Sequence, residues 1–259
     1  MSAWPIADWN LFLLVAARVL AMIEVAPLLS GTGVPQVAKV GLAGFAAAAV
    51  FPAVKAAGYP IPDDGAAYAL LLAGEAMIGL MMGFFLPIVY AAFVTAGQFF
   101  SLQIGFGASE TFDPLAEIEI PLMGQFLNLI AMFVFVSTQG FQKLFLIGVQ
   151  GSFKAMRAID LVTRKNDIVA FLLRATGALF QQSLVLAMPV MGTLFVLSVA
   201  LGLLSKAAPQ MNLLTEGLPI SLGVTYIILI AALPFMMEAF ARLIEAGFND
   251  LALLLGGAA

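Results

Sequence analysis

Apolar and polar positions fall in blocks along this chain. Runs of about 20 apolar residues, the length that crosses a bilayer's hydrocarbon core, are separated by short stretches rich in Gly, Pro and acids. The first run, 9–29, begins beside Trp4 and Trp9, which suit an interfacial anchor, and carries Arg18 and Glu24. GTGVP at 31–35 breaks it with Gly and Pro. The second run, 37–57, is rich enough in Ala and Gly to lie close against neighbouring helices, and GYPIPDDG at 58–65 reads as a loop. The third, 66–103, is about 38 residues long, nearly 60 Å as a helix. Pro87 lies near its middle, so a bent or broken helix is expected.

The polar stretch 104–121, IGFGASETFDPLAEIEIP, follows with Glu110, Asp113, Glu117 and Glu119 and no basic residue. A loop this polar between apolar runs is either a solvated connection outside the bilayer or a plug inside a protein-lined passage. Residues 122–137 and 141–158 flank a TQG turn at 138–140; each is short for a crossing, so a helical hairpin is expected. Another long run, 168–204, holds Pro189 about as far in as Pro87 lies in its counterpart, and both lead into Pro-containing loops. The second of these is KAAPQMNLLTEGLP at 206–219. This parallel has the form of a weak internal repeat. The last run, 220–240, leads to a tail whose Glu238, Arg242 and Glu245 stand at helical spacing and form a solvated face.

Composition fixes the class. Of 259 residues 63% are hydrophobic and 10% charged, with mean hydropathy +1.07, whereas a soluble domain is roughly one quarter charged. The expected fold is an all-α polytopic membrane protein of long Pro-kinked helices and helical hairpins. A net charge of −4 offers no basic footprint, so no nucleic-acid partner is expected. Cys and His are both absent, which removes thiol chemistry, the usual general base and the commonest zinc ligands. No catalytic centre, metal or cofactor is expected. The first basic residue, Arg18, lies inside the first run, which favours an uncleaved first helix over a signal peptide.

The charges are unevenly spread. Residues 154–167 hold four of the eleven basic residues, Lys154, Arg157, Arg164 and Lys165, and mark the cytoplasmic side by the positive-inside tendency. Between Lys55 and Lys143 there is no Lys or Arg. Arg18, Glu24, Glu75 and Arg174 fall within apolar runs, where an unpaired charge is costly. They read either as an ion path or as pairs between helices or subunits, and pairing is favoured because both signs are present. Met77, Met81 and Met82 read as packing or as a deformable seal.

Residues 105–135, GFGASETFDPLAEIEIPLMGQFLNLIAMFVF, resemble the flagellar biosynthesis protein FliR family (the FliR/SctT family of type III secretion export gates), whose loop has a GFxMAxxxDP-like form followed by a Pro and LGQFLN. KAAPQMNLLTEGLPISL at 206–222 is similar to the family's second hallmark, and the resemblance covers roughly 10–245. Departures are Gly140-Phe141 where the family has Gly-His, Leu218 within GLP where it has Phe, and Gly107 where Ser is common.

The resemblance implies one integral membrane export-gate subunit over 1–259. In it a FliP-like part over about 1–204 is followed by a FliQ-like helical hairpin over 168–250. It implies assembly with FliP-like, FliQ-like and FlhB-like subunits at the base of the flagellar basal body, in the bacterial inner membrane. The ligands implied are membrane lipid and unfolded export substrates. It further implies that 104–121 plugs the closed pore, with Phe106, Gly107, Phe112, Asp113 and Pro114 as closure residues. Pro209, Gln210, Asn212 and Pro219 are the expected subunit contacts. The alternatives are the homologous subunit of a virulence secretion system and, from another class, a stand-alone secondary transporter with broken helices and intramembrane charges.

Overall fold

The computed structural model describes residues 6–27, 29–31, 33–104, 122–208 and 213–256. They are helical throughout apart from turns, with no strand among the described residues. In chain order the helices are α1 (Ile6–Val25), α2 (Gln36–Ala56), α3 (Gly65–Ile104) and α4 (Leu122–Ser137). There follow α5 (Gly140–Ala155), the single turn α6 (Asp160–Thr163), α7 (Lys165–Ala207) and α8 (Leu213–Leu254). α2, α3, α7 and α8 are long and apolar enough to cross a membrane, and the bent pair α4–α5 makes a possible fifth span. The protein is therefore an all-α polytopic membrane protein.

Of the two forms expected for the third run, bent or broken, the broken one is absent: α3 runs without interruption through Pro87. The carbonyl that Pro87 leaves without a helical donor belongs to Gly83. Two other expectations change at this level. The expected hairpin over 122–158 is a bend of 66° between α4 and α5. Thr138 and Ser137 both bond back to the Val134 carbonyl (3.0 and 2.8 Å), and Gln139 takes a left-handed conformation at φ 58°. Together these end α4 without reversing the chain. The loop expected over 206–219 is shorter: α7 runs to Ala207 and α8 starts at Leu213, with Pro219 inside it. The solvated tail is the same helix as the last run, its Arg242–Glu238 pair closing at 2.6 Å, one turn apart.

Within α5 the stretch Leu144–Gly151 is a π-helix, a wider turn that is rare beyond short bulges. Hydroxyls along α7 turn inward on their own backbone: Thr176, Ser183, Thr193 and Ser198 each donate to the carbonyl four residues before. Each polar group is thereby satisfied without a partner outside the helix, as an apolar environment demands.

The chain forms two compact units, and α3, α7 and α8 each contribute to both. The first comprises Met1–Val89, Gln139–Thr176 and Ile244–Ala259. Its core is built from Leu14, Val19, Ile78, Met82, Leu86, Met156 and Phe248, and Phe85 lies 6.0 Å from Phe171 and 6.3 Å from Phe248 between ring centroids. Met81 is buried with Met82, whereas Met77 is exposed. The second unit comprises Tyr90–Thr138 and Gly177–Leu243. Its centre is an aromatic cluster in which Phe240 meets Phe93 at 4.2 Å and Tyr90 at 5.6 Å, with Phe135 5.7 Å from Tyr90. There α3 and α4 approach closely: a β-carbon on Gly97 would lie 2.7 Å from the Gly124 α-carbon.

Candidate functional site

Buried charge organises the first unit. α1 turns its Leu11, Leu14, Val15, Val19 and Met22 into the core, and Arg18 shares that face. The guanidinium is held at each of its three nitrogens. Nε donates to Glu75 Oε2 at 2.6 Å, Nη1 to Ser152 Oγ at 3.1 Å, and Nη2 to the Met156 carbonyl at 3.0 Å. The charged carbon also stands 3.9 Å from the centroid of the Phe153 ring, which faces it with the electron-rich side. Glu75, fully buried on α3, accepts a second bond from the Tyr59 hydroxyl in the α2–α3 loop. The Ser152 hydroxyl in turn donates a hydrogen bond to the Val149 carbonyl at 2.9 Å, inside the π-helical segment.

One cation thus joins α1, the 57–64 loop, α3 and α5. Local backbone makes the joint possible. Gly79, one turn beyond Glu75, puts α3 directly on the α1 backbone, where a β-carbon would meet the Arg18 carbonyl carbon at 2.9 Å and Ala21 Cβ at 3.1 Å. At Gly83 it would lie 2.5 Å from the Met22 carbonyl oxygen. This is the small-xxx-small contact that lets membrane helices touch along their backbones. At the end of α5, Met156 turns extended, which buries its side chain and aims its carbonyl at Arg18.

Burial, then the Glu75 carboxylate, raise the Tyr59 hydroxyl above its ordinary 10.0. A pKa raised on folding contributes stability that is whole below the unfolded value and fades as pH rises past it. Unfolding midpoints are therefore expected to fall above about pH 10, and Tyr59→Phe to flatten that decline.

The sequence-predicted charges are distributed as follows. Arg18 pairs with Glu75. Glu24 meets Lys39 of α2 at 3.2 Å, and Lys39 itself is buried and also bonds the Ser30 carbonyl. Arg174 is exposed on α7 and makes no ion pair among the described residues. Pro219 is exposed on α8. Phe106, Gly107, Phe112, Asp113, Pro114, Pro209, Gln210 and Asn212 lie outside the described residues. Sequence reasoning missed Tyr59, Lys39, Ser152 and the Met156 carbonyl. The signal for Lys39 was present as a cation near the start of an Ala-rich apolar run. Among the described residues no group of three acids is placed to hold a metal ion.

These features define a multi-pass helical membrane protein whose first compact unit is braced by a buried ion pair. The chain belongs to the family described as Bacterial export proteins, family 1, which matches residues 9–247. It is 31% identical over 244 residues to the flagellar biosynthetic protein FliR of Escherichia coli strain K12, covering 94% of this chain and 92% of that one. To the flagellar biosynthetic protein FliR of Borreliella burgdorferi it is 33% identical over 195 residues, 75% and 72% of the two chains. It is also 31% identical over 164 residues to the surface presentation of antigens protein SpaR of Shigella sonnei, 62% of each chain.

Proposed function

We propose that this chain is a subunit of a flagellar protein-export gate, a non-enzymatic membrane component that helps form and close a conduit for unfolded substrates. The observation that carries this is the nearly full-length similarity to proteins named for flagellar biosynthesis. The gate works with FliP-like, FliQ-like and FlhB-like neighbours in the bacterial inner membrane at the base of the flagellum. A FliP-like part over about 1–204 and a FliQ-like hairpin over 168–250 are the expected ancestry of the two halves. Exposed apolar residues along α7 and α8, among them Leu173, Phe195, Leu203, Ile227 and Ile230, supply faces for such neighbours and for lipid.

The segment 104–121 joins α3 to α4, and its composition suits a stopper. Glycines such as Gly107 permit movement, Phe106 and Phe112 provide apolar bulk, and Asp113-Pro114 favours a turn. Pro209, Gln210, Asn212 and Pro219, the last of them inside α8, are the proposed subunit contact. Deleting 106–114 is expected to leave the gate assembled but leaky to small ions. Conductance of the reconstituted complex is the measurement, and an unchanged value sinks the plug. The SpaR relative supports a second reading, a virulence secretion subunit. Expression in a flagellated host lacking its own FliR separates the two: restored swimming supports the flagellar reading, and a stable complex without swimming supports the other.

A further inference from the structure

The turn between α5 and α7 displays apolar side chains where it has the means to hide them. Its backbone is fixed from beneath. The Met156 side chain is buried and its carbonyl is held by Arg18. Ala158 packs on α3 so closely that a β-carbon on Gly74 would lie 2.7 Å from its Cβ. Asp160 Oδ2 accepts the Arg157 backbone N–H at 2.7 Å, and Arg164 Nη2 donates to the Leu254 carbonyl at 2.7 Å. On this anchored frame Ile159, which caps α6, is 70% exposed and Val162 within it 72% exposed, three residues apart on one side of the turn.

Around them stand three exposed cations, Lys154, Arg157 and Lys165, none with an ion pair among the described residues. The acids of the segment are engaged elsewhere: Asp160 with the backbone, and Asp167 at 4.0 Å from Arg164 Nε. Lys165 opens α7, a helix apolar enough to span a membrane, and heads an exposed apolar stripe through Val169 and Leu173. The turn therefore immediately precedes a helix long and apolar enough to cross a membrane.

We propose that this turn is an interfacial wedge for anionic lipid. Ile159 and Val162 enter the boundary between headgroups and acyl chains, while Lys154, Arg157 and Lys165 bind the phosphates of anionic headgroups. Two branched aliphatics on a rigid turn supply apolar area at little entropic cost. Clustered cations next to a span supply the preference for anionic over zwitterionic lipid. The wedge fixes the depth of α7 and, through Arg18, holds the buried cluster in register with the bilayer surface.

The test places a reporter in the wedge. In full-length protein carrying Trp4→Phe, Trp9→Phe and Ile159→Trp, reconstituted into vesicles, quenching is measured with brominated phosphatidylcholine and with brominated phosphatidylglycerol. Val162→Trp in place of Ile159→Trp gives an independent reporter. Expected is quenching by both lipids, with a preference for the anionic one of about fivefold or more, the factor one cation near an anionic surface supplies. In Lys154→Gln/Arg157→Gln/Lys165→Gln that preference should fall towards one. The proposal is overturned by quenching from aqueous iodide alone, by lipid quenching without anionic preference, or by shielding from lipid and iodide alike. The last outcome means that an acidic protein segment covers the turn.

Discussion

Glu75→Leu is expected to remove about 3–5 kcal/mol of stability, the usual result when one member of a buried ion pair is lost and its partner stays charged. The size follows from Arg18 being only 2% exposed, with Glu75 its one acidic partner among the described residues. Ser152 and the Met156 carbonyl can still accept hydrogen bonds, but neither neutralises a guanidinium. The double variant Arg18→Met/Glu75→Leu is expected to be more stable than Glu75→Leu alone, because apolar groups of similar volume remove the desolvation penalty with the charge. Thermal or denaturant unfolding of the full chain in detergent measures both, and the amount retained in membranes gives the cellular counterpart. If Glu75→Leu unfolds like the parent, or if the two substitutions add, the pair is not what holds α1, α3 and α5 together.

Much of the helical plan is legible because each long apolar run has only one way to satisfy its backbone in lipid. The runs 37–57 and 66–103 meet α2 and α3 within a residue at each end. Boundaries fail where polarity misleads. Leu213–Pro219 looks like loop because Thr, Glu, Gly and Pro crowd together, yet all of it is the opening of α8, and Pro219 lies beyond the first turn, where it forgoes the bond to the Thr215 carbonyl. The charge pairing is legible only as a demand. Arg18 and Glu24 are six residues apart, so at 100° per residue they point to different faces of α1. The partner of each had to come from elsewhere, 57 positions away for Arg18 and 15 for Glu24. Nothing local announces those distances, nor the π-helix, whose LFLIGVQG composition suits an ordinary helix equally well. The plug candidates rest on motif and composition, since their segment lies outside the described residues.

Gly79→Val is expected to be the most damaging single substitution of a small residue, for the same reason that makes the buried pair possible. A β-carbon there falls on the Arg18 carbonyl group, which is backbone and cannot swing aside. Overpacking of this kind costs about 1–3 kcal/mol and occasionally more. Here the displaced helix also carries the Arg18 side chain, whose Nε–Oε2 bond of 2.6 Å has no slack to follow. Gly79→Ala should be milder but of the same sign. Gly177→Ala should have the opposite sign: a β-carbon at Gly177 meets nothing within 4 Å among the described residues, and Ala is favoured over Gly inside a helix by up to about 1 kcal/mol. The decisive measurement combines sites. In the Arg18→Met/Glu75→Leu background α1 is no longer tied to α3 by charge, so moving it away costs less, and the Gly79→Ala penalty should shrink. An undiminished penalty there would mean that the close contact and the ion pair act independently, and that α1 is positioned by backbone packing alone.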